Sequence, residues 1–232
     1  VLDNRDELKL ANQNPDKYIA TRAGSRVALD ECQLAPDLFP ALKDWVRKHK
    51  KPGQFILSGS VRFTSREAIR ESLTGRIMNL ELLPFSVPEL AGDPLSKLCL
   101  EVLETSNLQN ILQNNPPDMK QVRRYHKLME KYFSQGGLPG VCFIRESKLR
   151  EQKIEEQLRT ILDRDLRLVQ KILLPFSDIR NLVDVLAQTQ SHPLDYTLLK
   201  KETGISTPTI KKIIYALEAV FVIRIVPIEG ST

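Results

Sequence analysis

Cysteine and histidine are scarce in this chain. The three cysteines, Cys32, Cys99 and Cys142, lie far apart with no Cys-x-x-Cys pair, and the three histidines, His49, His126 and His192, are equally scattered. That spacing excludes a disulfide framework and a zinc ribbon, and it leaves a histidine-based metal site little to be built from. The thiols read as reduced, the state expected in the cytoplasm. No apolar run approaches the roughly 18 residues a membrane span needs. The most apolar stretch, 216–226, is interrupted by Glu218 and Arg224. Signal peptide, internal repeat and low-complexity tract are all missing. So is a strong charge imbalance: the formal net charge of +5 leans mildly towards anionic partners, short of a dedicated nucleic-acid binder.

What remains is a normal globular composition, 41% hydrophobic and 27% charged over 232 residues, enough chain for about two domains. Val1-Leu2-Asp3 reads as the tail of a strand, without a leading methionine, so the natural protein is expected to start earlier. Short helices follow over 5–11 and 16–23, with a cap and turn at Asn14-Pro15-Asp16. Arg26–Asp30 is a strand whose apolar residues run without polar alternation, the mark of a strand buried on both faces of a parallel sheet. Pro36-Asp37 opens a helix with Leu38, Ala41, Leu42, Trp45 and Val46 at helical spacing, where Trp45 is core. Its basic end, Arg47–Lys51, reads as a solvated helix terminus. Gln54–Ser58 is the next strand, which makes a βαβ unit with a right-handed crossover.

A basic segment with Arg62, Arg66 and Arg70 comes next, then Ser72-Leu73-Thr74-Gly75-Arg76 and a strand over 77–83. Helices dominate from there: 87–90, 95–104, 119–134 and a long one over 145–174. Breaks fall at 114–117, at Gly136-Gly137-Leu138-Pro139-Gly140 and at Pro175. The final residues read as helices over 178–190, 194–202 and 207–219, with a Gly204-Ile205-Ser206 turn, and then a strand over 221–226. That order is a winged helix-turn-helix pattern.

The residues that carry chemistry stand where the two strands end. Asp30 is placed to hold Mg²⁺ directly or through its water, and Glu31 to orient and deprotonate an attacking water. The alternative is that Asp30 caps the following loop and Glu31 is merely exposed. Ser58 falls beside Asp30 if the strands are neighbours, and offers a hydroxyl to the γ-phosphate or water; otherwise Ser58-Gly59-Ser60 is a tight turn. Arg76 is the candidate cation for phosphate charge, acting from the side or from a neighbouring subunit, against a plain solvated arginine. Asp163, Arg164 and Asp165 form either an ion-pair network docking the helical region or a solvated helix face.

Several of these segments together resemble a family of prokaryotic AAA-like ATPases. Val-Ala-Leu-Asp-Glu-Cys-Gln-Leu-Ala-Pro-Asp-Leu-Phe-Pro-Ala-Leu-Lys (27–43) is similar to its Walker B segment. Phe-Ile-Leu-Ser-Gly-Ser (55–60), Ser-Leu-Thr-Gly-Arg (72–76) and Leu-Glu-Leu-Leu-Pro-Phe-Ser (80–86) follow in the family's order and spacing. Gly-Gly-Leu-Pro (136–139), Asp-Arg-Asp-Leu (163–166) and Gly-Ile-Ser-Thr-Pro-Thr-Ile (204–210) look like landmarks of the family's C-terminal domain, whose role is uncharacterised. The resemblance implies ATP and Mg²⁺ as ligands, Asp30 and Glu31 as the Walker B pair, Ser58 at the sensor position and an arginine role for Arg76. Cys32 stands where an Ile is usual and Ser58 where Thr is common. The larger departure is that no Gly-x-x-x-x-Gly-Lys-Ser/Thr loop occurs, and with it goes the cradle for the β- and γ-phosphates. The family places that loop before residue 1. A preceding segment is therefore expected to supply it, and the 232 residues by themselves are expected not to hydrolyse ATP.

The expected fold is α/β (a partial P-loop parallel sheet) followed by a mainly α-helical region ending in a winged helix-turn-helix. Its expected divisions are 1–85, an ATPase domain lacking the P-loop, then 86–176, helical, and 177–232, winged helix. The expected function is an ATPase whose cycle is coupled to the winged-helix module, in a homo-oligomer with no membrane attachment. The alternative is a non-enzymatic DNA- or protein-binding winged helix. There Thr207, Thr209, Lys211 and Lys212, at the start and outer face of the third helix, would meet groove and phosphates. Its charge is thin, with Lys200, Lys201, Lys211, Lys212 and Arg224 set against Glu202, Glu218 and Glu229.

Overall fold

A computed structural model describes residues 1–62, 75–92 and 119–227. Arg66, Arg70, the Ser72-Leu73-Thr74 triplet, Cys99, the helix expected over 95–104 and the break at 114–117 lie outside the described residues. The chain divides into two compact units, one of Val1–Met78 with Arg159–Thr232 and one of Asn79–Leu158.

The first unit is built on strand β1 (Val27–Leu29) lying parallel to β2 (Phe55–Leu57), with Val27 opposite Phe55 and Leu29 opposite Leu57. A parallel pair cannot be joined by a hairpin, so a helix makes the crossover: α3 (Leu38–His49). It buries Leu38, Phe39, Ala41 and Leu42, and Phe39 is the largest of the fully buried side chains among the described residues. Trp45 packs against the same cluster and donates its Nε1–H to Gln54 Oε1 at 3.2 Å. Gln54 passes the link on, donating to the Ala23 carbonyl at 2.7 Å. Helices α1 (Arg5–Gln13) and α2 (Pro15–Arg22) cover the cluster, each started by an asparagine, Asn4 or Asn14, whose side chain accepts amides of the first turn. They are clasped by Glu7, which accepts from the Tyr18 hydroxyl at 2.7 Å and pairs with Arg22 at 3.0 Å.

The described C-terminal residues of the first unit are mainly helical. After α7 (Ser147–Thr160), within which the chain passes from the second unit to the first, Ile161–Asp165 forms a π turn. Then come α8 (Leu166–Val169), α9 (Phe176–Gln188), α10 (Tyr196–Thr203) and α11 (Thr207–Ala219). The turn between α10 and α11 uses Gly204 at φ +72°, a left-handed position that glycine fills without steric cost. Ile210, Ile213, Ile214 and Leu217 line the buried face of α11.

The second unit has α4 (Val87–Ala91), α5 (Met119–Gln135), α6 (Pro139–Cys142) and most of α7. Ser86 and Glu89 form a reciprocal capping box on α4. The Gly136-Gly137 pair has a backbone reason. Gly136 takes φ +69°, and a Cβ on Gly137 would sit 2.1 Å from the Phe85 carbonyl oxygen. That approach exists because the Phe85 amide donates to the Gly137 carbonyl at 2.8 Å.

Two expected strands are not strands. Residues 77–83 form no regular secondary structure and join no sheet among the described residues; Ile77 touches the core, whereas Met78, Leu80 and the wholly exposed Leu82 do not. Apolar β-formers without a neighbouring ladder have nothing to satisfy their backbone, so the pattern alone does not make a strand. Residues 221–226 instead turn back on α11. Phe221 takes φ +61°, and the Val222 amide donates to the Leu217 carbonyl at 2.9 Å. The helix end claims these amides, so the described residues form a helix-turn-helix without a strand wing.

The packing around Phe39 sets a measurable quantity. Phe39→Ala should lower unfolding free energy by about 3–5 kcal/mol, because the side chain it removes is completely buried. Denaturant titration followed by Trp45 fluorescence checks this, and a loss near zero would mean that α3 does not depend on that contact.

Candidate functional site

The carboxyl ends of β1 and β2 meet through backbone bonds that continue the ladder past its last paired residues. The Ser58 amide donates to the Leu29 carbonyl at 2.9 Å, and the Cys32 amide donates to the Ser58 carbonyl at 3.1 Å. These two bonds bring the Ser58 hydroxyl to Asp30, to whose Oδ1 it donates at 2.6 Å. The same oxygen accepts the Glu31 amide at 3.0 Å. On the opposite side of β1, the Leu2 amide donates to the Asp30 carbonyl at 3.0 Å.

Glu31 sits in the left-handed region, at φ 57° and ψ 38°, which costs a non-glycine residue about 1–2 kcal/mol. That conformation bends the chain directly after the strand and starts the short 3-10 turn Cys32–Leu34. Gln33, only 2% exposed, donates its Nε2–H to the Glu31 carboxylate and to Ser60 Oγ, the latter at 3.0 Å. A second polar bridge therefore ties the two strand ends and fixes the direction of Glu31. Beside it the Cys32 thiol donates to the Leu29 carbonyl at 3.0 Å. Burial pushes that thiol from its ordinary 9.0 up to about 12, with the negative charges of Asp30 and Glu31 adding to the effect.

A cation reaches this region from the C-terminal part of the same unit. Arg164, on the π turn, donates Nε–H to Asp165 at 2.7 Å, and the Asp165 side chain is almost wholly buried. The bond to Asp165 and its charge raise Arg164 above its ordinary value, and the charge of Glu31 acts in the same direction. The Asp163–Asp165 run is thus partly an ion-pair network, with Arg159 standing 4.0 Å from Asp163. Arg76 lies exposed on the turn with Gly75.

Among the described residues no three His, Cys, Asp or Glu side chains gather to hold a metal ion. A metal cage made wholly of protein groups is not what these strand ends offer. Mg²⁺ asks for less, one or two carboxylates with water and phosphate oxygens completing its shell. Exposed Asp30 fits that demand, since its Oδ2 accepts no hydrogen bond among the described residues.

The other candidate group is separate. Lys211 and Lys212 are exposed on α11, and Lys211 Nζ stands 5.2 Å above the Tyr196 ring of α10. Thr207 and Thr209 are half-buried at the helix start, where Thr209 shares a 2.8 Å hydroxyl bond with Ser206 and so helps close the turn. Gln33 and Ser60 had no assigned role in the sequence pattern, and Arg164 was read there only as part of an ion-pair network or a solvated helix face.

Residues 1–91 match the family model of an AAA domain, and residues 126–228 match a domain of unknown function. The first match supports an AAA-like ATPase family, and domains of this kind generally bind nucleotide and Mg²⁺. Two curated relatives, uncharacterized proteins of Mycobacterium bovis and Mycobacterium tuberculosis, are each 32% identical over 74 residues. The match covers 32% of this chain and 17% of either relative, so the chain spans about a sixth of their length. No solved structure matches significantly. No helix among the described residues is long and apolar enough to cross a membrane.

The raised thiol gives a pH dependence with a defined sign. A folded-state pKa above the unfolded one favours the folded protein fully below the unfolded value, and the advantage is lost as pH rises through the folded value. Stability should therefore fall between pH 9.0 and about 12, and Cys32→Ala should remove part of that fall. Tyr18, raised by burial from 10.0 to about 12, supplies a further part. Denaturant midpoints measured from pH 8 upwards check the slope, and identical slopes for the two proteins would exclude the thiol as its source.

Proposed function

We propose that these 232 residues form the hydrolytic and C-terminal parts of an AAA-like ATPase, in which Asp30, Glu31 and Ser58 are the working side chains. The observation that carries the reading is the 2.6 Å bond from Ser58 to Asp30 at the carboxyl ends of two parallel strands, with Glu31 held beside it by Gln33. Ligands of α/β sheets bind in the crevice outside those strand ends. Asp30 would hold Mg²⁺ there directly or through its water. The ion supplies charge neutralisation at the phosphate oxygens. Glu31 orients a water and takes its proton, and its bent backbone keeps the carboxylate from folding back along the strand. Ser58, with its proton on Asp30, presents lone pairs to that water or follows the γ-phosphate. Arg76 serves as the cation for phosphate charge, within the same chain or across a homo-oligomer. The sequence carries no phosphate-binding loop, so the proposal concerns the protein in which such a loop stands beside these residues.

A second reading rests on the helix-turn-helix of α10 and α11, with Lys211 and Lys212 exposed on the second helix. There Thr207 and the two lysines would contact duplex DNA, while Thr209 holds the turn.

Mg-ATP should raise the melting temperature of the full-length protein, and Glu31→Gln should lower turnover by about 10²–10⁴-fold while nucleotide still binds. Absence of any thermal shift would sink the ATPase reading. For the second reading, the chain should retain duplex DNA in a mobility-shift assay. Replacing both lysines by Glu should then flatten the salt dependence by about two phosphate contacts; retention that ignores salt and both lysines would end it.

A further inference from the structure

The segment that follows Ser58 does not stay at the nucleotide side of the sheet. Ser58 is fixed at the strand end by its amide, its carbonyl and its hydroxyl, and Ser60 is held by Gln33. Val61 is then buried to 2% exposure, and Arg62 arrives at the C-terminal end of α11. There the Arg62 amide donates to the Ala219 carbonyl at 2.8 Å. That carbonyl belongs to the last turn of the helix, whose acceptors have no partner within the helix itself. The Arg62 guanidinium also lies 4.0 Å from the Glu218 carboxylate and 5.4 Å from the centre of the Phe221 ring. A cation in this place also complements the negative end of the helix dipole. Phe221 is the residue that turns back in the left-handed conformation, and Glu218 additionally accepts the Ile225 amide at 3.5 Å.

Ser58 and Arg62 are four residue steps apart, a reach of at most about 14 Å even when fully extended. Both ends are hydrogen-bonded, Ser60 is held by Gln33 and Val61 is buried, so a displacement at Ser58 is passed along a short segment anchored at several points. Packed contacts of this kind tend to exchange between discrete arrangements rather than stretch.

We propose that Ser58–Arg62 is a strap that couples the Asp30–Ser58 pair to the end of α11, with Arg62 as its positioning residue on the helix. Loss of the Ser58 bond to Asp30 loosens the strap, frees the Ala219 carbonyl and Glu218, and lets the 217–223 turn open. Closure of that bond tightens the same turn. The inference rests on the ATPase reading only for the origin of the signal, a phosphate that competes for the Ser58 hydroxyl. The mechanical link itself needs no nucleotide.

Hydrogen–deuterium exchange on the 232-residue chain, without nucleotide, tests the link. The amides of Val220, Phe221 and Val222, which bond back to the last turn of α11, are the reporters, and α9 is the internal control. Ser58→Ala should speed exchange at the reporters by about tenfold with α9 unchanged. Arg62→Ala should do the same, and the double substitution should exceed the larger single effect by less than about twofold. Ser58→Thr keeps the hydroxyl and should restore slow exchange, which separates the bond to Asp30 from general damage to the fold. If Ser58→Ala leaves the reporters unchanged while Arg62→Ala speeds them, the two ends are independent and the strap is overturned. Additive effects in the double substitution overturn it as well. A failure here is distinct from a failure of Mg-ATP to shift the melting temperature, because no nucleotide enters the experiment.

Discussion

The parallel pairing of β1 with β2 is the constraint on which the remainder of the first unit depends. Three residues on each side make the ladder, and the bonds beyond it, from the Ser58 amide to Leu29 and from the Cys32 amide to Ser58, set the register of everything that follows. A slip of one residue would turn the Ser58 hydroxyl away from Asp30, since side chains alternate across the sheet. It would also put Val61 into solvent and take Arg62 from α11. The crossover helix supplies the apolar burial that holds this register. The polar bridges through Gln33 and Gln54 give it direction without leaving a charge in the core.

The C-terminal helices do more than cover a hydrophobic face. They send a cation, Arg164, into the field of Glu31, and they receive a strap from β2 at the end of α11. Asp165 is the reason Arg164 stands where it does: a buried carboxylate needs a paired charge, and the π turn brings its own neighbour round to provide it. One of the two carboxylates at the strand ends, Glu31, therefore lies in the field of a positive charge from far along the chain.

Much of this was legible in the sequence, and the boundary has a physical cause. Unbroken apolar runs ending in Asp30 and Ser58 revealed two strands, and the helix between them revealed that they run parallel. Burial on both faces did not follow, since Ala28 and Ile56 are exposed and only Leu29 of the paired residues is buried. The helices over α5, α9, α10 and α11 follow from apolar spacing and from Asn, Asp, Gly and Pro at their ends. The strands expected over 77–83 and 221–226 failed because strand identity is conferred by a neighbour. Met78, Leu80 and Leu82 alternate with polar residues as a strand would, yet face solvent. Gln33, Arg62 and Arg164 were invisible as site residues for a related reason. Their roles lie in contacts separated by tens to more than a hundred positions, which no local pattern encodes.

The left-handed backbone of Glu31 sets stability against chemistry at a single position. Glycine there would release the strain of that conformation and strip away the carboxylate in the same change. A laboratory selection that rewarded only heat resistance would be drawn to that substitution, and would reach a hardier fold without the carboxylate we propose to handle water. Thermal robustness is therefore a misleading score for variants of this chain, and libraries screened on it need position 31 held fixed.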